Sequence, residues 1–216
     1  MYTLKLMITN KLIWTFFVLL AVIVGLYPLL YLYSGFRSAG FLSGKAADLR
    51  NHMGYLAIFY THVAFGGIAL LTGWSQFSEK FRLRYLQTHR LVGKIYVFSV
   101  LLSSVSGLAI AMFATGGLVS VLGFATLAVS WLFSNIKAYT SILNRNVQEH
   151  QNWMIRNYAL TFAAVTLRLW LPFSQAVLHM DFNLAYQIIA WMCWLPNLLI
   201  ATLIINRKRL RLATVA

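Results

Sequence analysis

The sequence predicts an all-α protein, a polytopic transmembrane bundle of about six helices forming one membrane domain over residues 1–216, with both chain ends on the cytoplasmic side. Three observations predict it. Charged residues make up 10% of the chain and hydrophobic residues 60%, whereas a water-exposed domain carries about 25% charged residues. Apolar stretches recur, each close to the roughly 20 residues that cross a hydrocarbon core at a rise of about 1.5 Å per residue. The lysines and arginines sit in short loops at alternate ends of those stretches, the pattern that sets membrane orientation.

The first stretch, Leu12–Tyr33, is longer than the apolar region of a signal peptide and lacks a small-x-small site after it, so it reads as a retained helix. The second runs over Gly54–Phe77, the third over Leu91–Ala114 and the fourth over Leu118–Tyr139. Only Thr115-Gly116-Gly117 separates the third from the fourth, which demands a tight helical hairpin. The fifth, Met154–Val177, follows a polar run from Glu149 to Asn152, and the sixth is Leu184–Asn206. No strand alternation or repeat pattern competes.

With six spans, Lys5, Lys11, Lys80, Arg82, Arg84, Arg90, Lys137, Arg145, Arg156, Arg207, Lys208, Arg209 and Arg211 share one side. Arg37, Lys45 and Arg50 fall on the other. The rule that cytoplasmic loops are positive then places both termini inside. The net charge of +14, with only four acids (Asp48, Glu79, Glu149 and Asp181), becomes a basic rim that attracts anionic lipid headgroups. Nucleic acid is not an expected partner, because the cations are dispersed among loops between apolar stretches. Trp74, Tyr139 and Trp153 fit an interfacial belt. A single cysteine, Cys193, cannot form an internal disulfide.

Polar groups inside a bilayer are costly and usually face the protein interior. In the second span, His62, Gly66, Ala69, Gly73 and Gln76 share one helix face, and small residues there let a helix or flat ligand approach the backbone. The third span carries His89, Gly93, Tyr96, Ser103 and Gly107 on one face; the fifth carries His150, Met154, Asn157, Thr161, Ala164 and Arg168. His62 lies about 12 Å from the outer end and Arg168 about two turns from it, with no acid at that depth. An arginine so placed needs an anion, carbonyls or water, and a cofactor carboxylate or lipid phosphate suits it. His89 and His150 lie near the inner face on different helices. Two neutral imidazoles can hold a haem iron axially, which makes His89 and His150 the expected ligand pair. His62 is a third candidate metal ligand, and Arg90, Lys94, Arg156 and Arg168 are candidates for holding propionates or lipid. His52 and His179 are outer-loop candidates as partners for His62, and Met112 and Met192 are weaker ones. The plainer readings are interfacial hydrogen bonds for His89 and His150 and a helix–helix hydrogen bond for His62. An HExxH motif, carboxylate-pair chemistry and a catalytic triad find no matching residue set; a three-histidine zinc site stays open, with the histidines split between the two faces.

These motifs resemble a known family. The segment from His62-x3-Gly66-Gly67 to Gln76, then Arg84-x4-His89-Arg90-x2-Gly93-Lys94-x-Tyr96 and Ser103-x3-Gly107, with His150-x2-Trp153-Met154-x-Arg156-x11-Arg168, is similar to the DUF2306 family of bacterial membrane proteins. The resemblance implies a multi-pass protein of the bacterial cytoplasmic (inner) membrane and assigns no function. More loosely, the motifs resemble the di-haem cytochrome b561-like proteins, although the fourth span here has no histidine. The leading expectation is a b-type cytochrome-like protein binding haem b and passing electrons across the membrane or to a quinone. Its partners would be membrane lipids, a quinone or another redox partner, and a second copy of the chain. The alternatives are a transporter or lipid- and anion-binding membrane protein without a redox centre, and an assembly subunit.

Overall fold

The computed structural model describes residues 2–34 and 46–213. Arg37 and Lys45 lie outside the described residues, as do the side chains of Lys5, Arg50, Arg209 and Arg211. The described chain is helical almost throughout: α1 (Tyr2–Leu26), α2 (Pro28–Ser34), α3 (Ala47–Asn51), α4 (Met53–Gly73), α5 (Glu79–Arg84), α6 (Leu86–Ala111), α7 (Gly117–Leu143), α8 (Val147–Thr161), α9 (Ala163–Ala176), α10 (Phe182–Met192) and α11 (Leu195–Ala213), with a 3-10 turn at Trp74–Phe77 after α4.

Among the described residues, five segments are long and apolar enough to cross a membrane: Lys11–Tyr31, Met53–Phe77, Leu86–Ala111, Gly117–Leu143 and Phe182–Lys208. The protein is a polytopic helical membrane protein, and its burial pattern agrees. Leu118 and Phe16 are 71% and 61% exposed, whereas Asn152 and Asn157 are wholly buried. That distribution suits lipid as the outer solvent, where polar groups must be satisfied inside.

The expected fifth helix, Met154–Val177, is not one rod. It is divided at Phe162 into α8 and α9, and Asn157, Thr161, Thr166 and Arg168 dilute its apolar character. No glycine or proline causes the break. Neighbouring side chains instead take over backbone groups there: Asn197 Nδ2 donates to the Ala159 carbonyl at 3.2 Å and to Thr166 Oγ1 at 3.1 Å, and Thr161 Oγ1 turns back onto the Asn157 carbonyl at 3.0 Å. Side chains inserted into a helix ladder are a recognised cause of kinks. Pro172, by contrast, sits within α9 without ending it. Pro28 and Pro196 occupy the first turns of α2 and α11, where the missing N–H costs nothing. The sixth span is also divided, between α10 and α11 at Cys193–Trp194. Thr166 Oγ1 donates to the Cys193 carbonyl, so the two breaks are tied side by side.

Helix α4 packs on α6, α6 on α7 and α7 on α8; α1 lies against α4, α10 against α7 and α9, and α11 against α8. Close approach depends on missing side chains. A Cβ on Gly67 would stand 2.7 Å from the Gly25 carbonyl oxygen, and one on Gly123 would stand 2.9 Å from Ala190 Cβ. The hairpin between α6 and α7 turns at Gly116 and Gly117, whose φ values of 89° and 70° are costly for a residue with a Cβ. Helix starts at the ends of the bundle are capped: Asn146 Oδ1 accepts from Glu149 N–H at 3.1 Å, and Asp181 Oδ1 accepts from Asn183 N–H at 2.9 Å. The α5 segment, the α7–α8 turn and the end of α11 share one basic end of the bundle, where Lys208 Nζ donates to Gln151 Oε1 at 2.6 Å.

Candidate functional site

At the opposite end the helices enclose a cavity of about 550 Å³, within the roughly 300–1,000 Å³ of small-molecule sites. Helices α1, α2, α4, α6, α7, α8, α9 and α10 all contribute to its wall. Tyr31, Thr115 and Phe182 line it toward the outer helix ends, and Leu70, Trp131, Thr161 and Cys193 line its floor nearer the bundle centre. Leu70 follows His62 by eight positions on α4, so this floor lies about 12 Å below the imidazole at the helical rise.

Two sequence candidates, His62 and Arg168, both line this cavity. Arg168 Nη1 donates to the Ala164 carbonyl one turn back at 2.9 Å. Its guanidinium carbon stands 4.6 Å from the centroid of the Tyr27 ring, a cation–π contact strengthened by desolvation. No carboxylate meets it. The four acids of the chain lie at helix ends or in loops, and among the described residues the one salt bridge joins Arg82 to Glu79 at 3.7 Å. His62 bridges α4 to α6. Its Nδ1 lies 2.8 Å from the Ser103 carbonyl oxygen, and Ser103 Oγ donates back to the His62 carbonyl at 2.8 Å. The ring rests on α6 where residue 107 lacks a side chain: a Cβ on Gly107 would fall 2.8 Å from Nδ1. Arg168 is near enough for its charge to act on this imidazole.

His89 and His150 stand at the basic end and do not line the cavity. They are close enough for their charges to interact. His150 donates from Nδ1 to the Ala138 carbonyl at 2.8 Å, whereas His89 Nδ1 is buried with no hydrogen-bond partner. The Phe81 ring lies edge-on to His89, at 6.4 Å between centroids. Arg90 and Lys94 are exposed; Arg156 lies over the Trp153 ring at 4.9 Å. No group of three or more His, Cys, Asp or Glu side chains is placed to hold a metal ion among the described residues. His52 caps α4, accepting from Tyr55 N–H at 3.2 Å, and His179 is exposed in the α9–α10 connection.

Between the two layers lies a closed polar network. Tyr96 Oη donates to Asn157 Oδ1 at 2.5 Å, Trp131 Nε1 donates to Thr161 Oγ1 at 2.9 Å, and Asn157 Nδ2 donates to Ser134 Oγ at 2.8 Å. Helical spacing places Tyr96, Asn157 and Thr161 on inward faces but gives no signal for Trp131. For Tyr27 the sequence offers one sign, a pair of tyrosines four apart, Tyr27 and Tyr31, in a mainly aliphatic first span.

A family model described as "Predicted membrane protein (DUF2306)" matches residues 59–205, which covers His62, Ser103, Gly107, Asn157 and Arg168. The chain belongs to the DUF2306 family. No curated protein and no solved structure matches it significantly. The DUF2306 region supplies both His62 and Arg168, while Tyr27, at the α1–α2 junction, and Tyr31, on α2, precede it.

Proposed function

We propose that this DUF2306 protein binds an amphipathic anion in its cavity, with the anionic head between His62 and Arg168 and the apolar body against the floor around Leu70 and Trp131. The observation that carries this reading is Arg168 itself: a guanidinium facing a largely apolar cavity with no carboxylate partner among the described residues. Such a charge is stable in a bilayer only when something compensates it, and an oxyanion matches its fork of donors. The protein then acts as a lipid- or anion-binding membrane protein, or as a transporter. Its basic end lies on the cytoplasmic side of a bacterial inner membrane, by the positive-inside rule, so the cavity occupies the outer half. The test is extraction of bound amphiphiles from protein purified in mild detergent. Wild type is expected to carry an anionic amphiphile in near-stoichiometric amount and Arg168→Gln to lose it; equal content in both overturns the reading.

A second reading, haem-linked electron transfer, rests on a different observation. His150 donates from Nδ1 to the Ala138 carbonyl, the orienting bond typical of a metal-ligating histidine, and the nearby His89 holds a buried, unpartnered Nδ1. These two residues would hold the iron, and the haem would supply the one-electron chemistry. The cavity does not suit a bis-histidine haem, since His62 is its single histidine. A reduced-minus-oxidised spectrum decides: a Soret band at near-unit haem per chain, lost in His89→Ala with His150→Ala, supports it. A colourless protein from haem-replete cells refutes it.

A further inference from the structure

We infer that the head group held between His62 and Arg168 is an oxyanion that also carries an O–H: a phosphate monoester or a hydroxy acid, not a phosphodiester or a plain carboxylate. This rests on the reading of the cavity as an anion site and follows from which ring nitrogen of His62 holds its hydrogen.

The partner of Nδ1 is the Ser103 carbonyl oxygen at 2.8 Å, and a carbonyl only accepts. The hydroxyl of the same serine, 3.2 Å from Nδ1, is already committed as a donor to the His62 carbonyl at 2.8 Å. Nδ1 must therefore carry the hydrogen. In a neutral imidazole Nε2 is then a bare acceptor, and among the described residues it has no hydrogen-bond partner. Ring rotation does not escape this assignment. The imidazole is pressed against α6 at Gly107, with Nδ1 and Cε1 at 2.8 and 2.9 Å from where a Cβ would be, and turning the ring over would abandon the Ser103 bond.

Arg168 presents the opposite chemistry, since a guanidinium only donates. One N–H is spent on the Ala164 carbonyl, and the others remain for a ligand. The cavity lining thus holds a donor on α9 and an acceptor on α4. A head group of acceptor oxygens alone satisfies Arg168 but sets a lone pair against the Nε2 lone pair. A head with one ionised oxygen and one O–H satisfies both.

The test uses the full-length protein in nanodiscs and two probe pairs that differ in one capped hydroxyl: dodecyl phosphate against dodecyl methyl phosphate at pH 6, and 2-hydroxydodecanoate against 2-methoxydodecanoate at pH 7.5. Calorimetric titration is expected to show the uncapped member binding about tenfold tighter in at least one pair, the equivalent of one hydrogen bond to a charged head. The pair that discriminates identifies the source as phosphate monoester or hydroxy acid. His62→Ala should level that ratio, and Arg168→Gln should abolish binding of all four. Equal binding within both pairs, still dependent on Arg168, overturns this inference and leaves the anion site standing. Binding of none overturns both. The comparison in the unaltered protein decides even if a variant fails to fold.

Discussion

Replacing Tyr96 by Phe removes one oxygen from the most enclosed polar contact of the bundle. Tyr96 and Asn157 are wholly buried, and the Tyr96 hydroxyl is the one donor seen on Asn157 Oδ1, at 2.5 Å. Thr161 Oγ1, 2.9 Å from the same hydroxyl, keeps its donor from Trp131 Nε1 and its own bond to the Asn157 carbonyl. The loss therefore falls on Asn157 Oδ1, left buried and unpaired. Orphaning a buried acceptor costs about 1–3 kcal/mol, while interhelical hydrogen bonds within membranes average about 0.6 and reach about 1.7 kcal/mol. Tyr96→Phe should thus cost about 1–2 kcal/mol. The same change should cost under about 0.5 kcal/mol in an Asn157→Ala background, where no acceptor remains to orphan. The assay is reversible unfolding by SDS in mixed micelles, followed by circular dichroism. A coupling below about 0.3 kcal/mol, the scatter of independent sites, would refute the claim that this contact is what the hydroxyl contributes.

Four further outcomes follow from packing and exposure. Gly73→Ala should destabilise by about 1–3 kcal/mol through overpacking, because its Cβ would reach 2.7 Å from the Tyr96 ring and press on Tyr158. Gly117→Ala meets nothing within 4 Å yet should cost about 1 kcal/mol, because its φ of 70° disfavours a Cβ; thermal melts in detergent compare the two. Cys193 is wholly buried, so a maleimide should leave it unlabelled in the folded protein and label it after SDS denaturation. Leu83→Cys and His179→Cys, exposed at opposite ends of the bundle, should react with an impermeant reagent from opposite sides of the membrane, with Leu83→Cys reached only from the cytoplasm.

Much of the helical architecture could be read from composition and length because lipid imposes both. The Thr115-Gly116-Gly117 turn was readable for the same local reason, glycine being the residue that accepts positive φ. The break at Phe162 was not. Leu160-Thr161-Phe162-Ala163 holds no glycine or proline to signal a break, and Asn197, which takes over a backbone carbonyl there, lies far away in sequence. Counting residues from the span ends placed His62 and Arg168 at similar depth. It could not bring in Tyr27, because a cation–π partner on another helix leaves no periodic trace. Nor could it locate the cavity, which is a property of eight helices together.

The stacking of Arg168 on Tyr27 also bears on how the chain enters the membrane. An arginine near the middle of an inserting helix costs about 2.5–3.5 kcal/mol on biological insertion scales. The ring that relieves this lies on a segment synthesised long before α9 emerges. Partitioning of α8–α9 should therefore depend on the prior residence of the first span, with the α1–α2 junction that carries Tyr27 as its intramolecular insertion partner. A fragment trimmed to residues 59–205 would retain every histidine and arginine of the cavity and lose the surface that receives Arg168 during biogenesis.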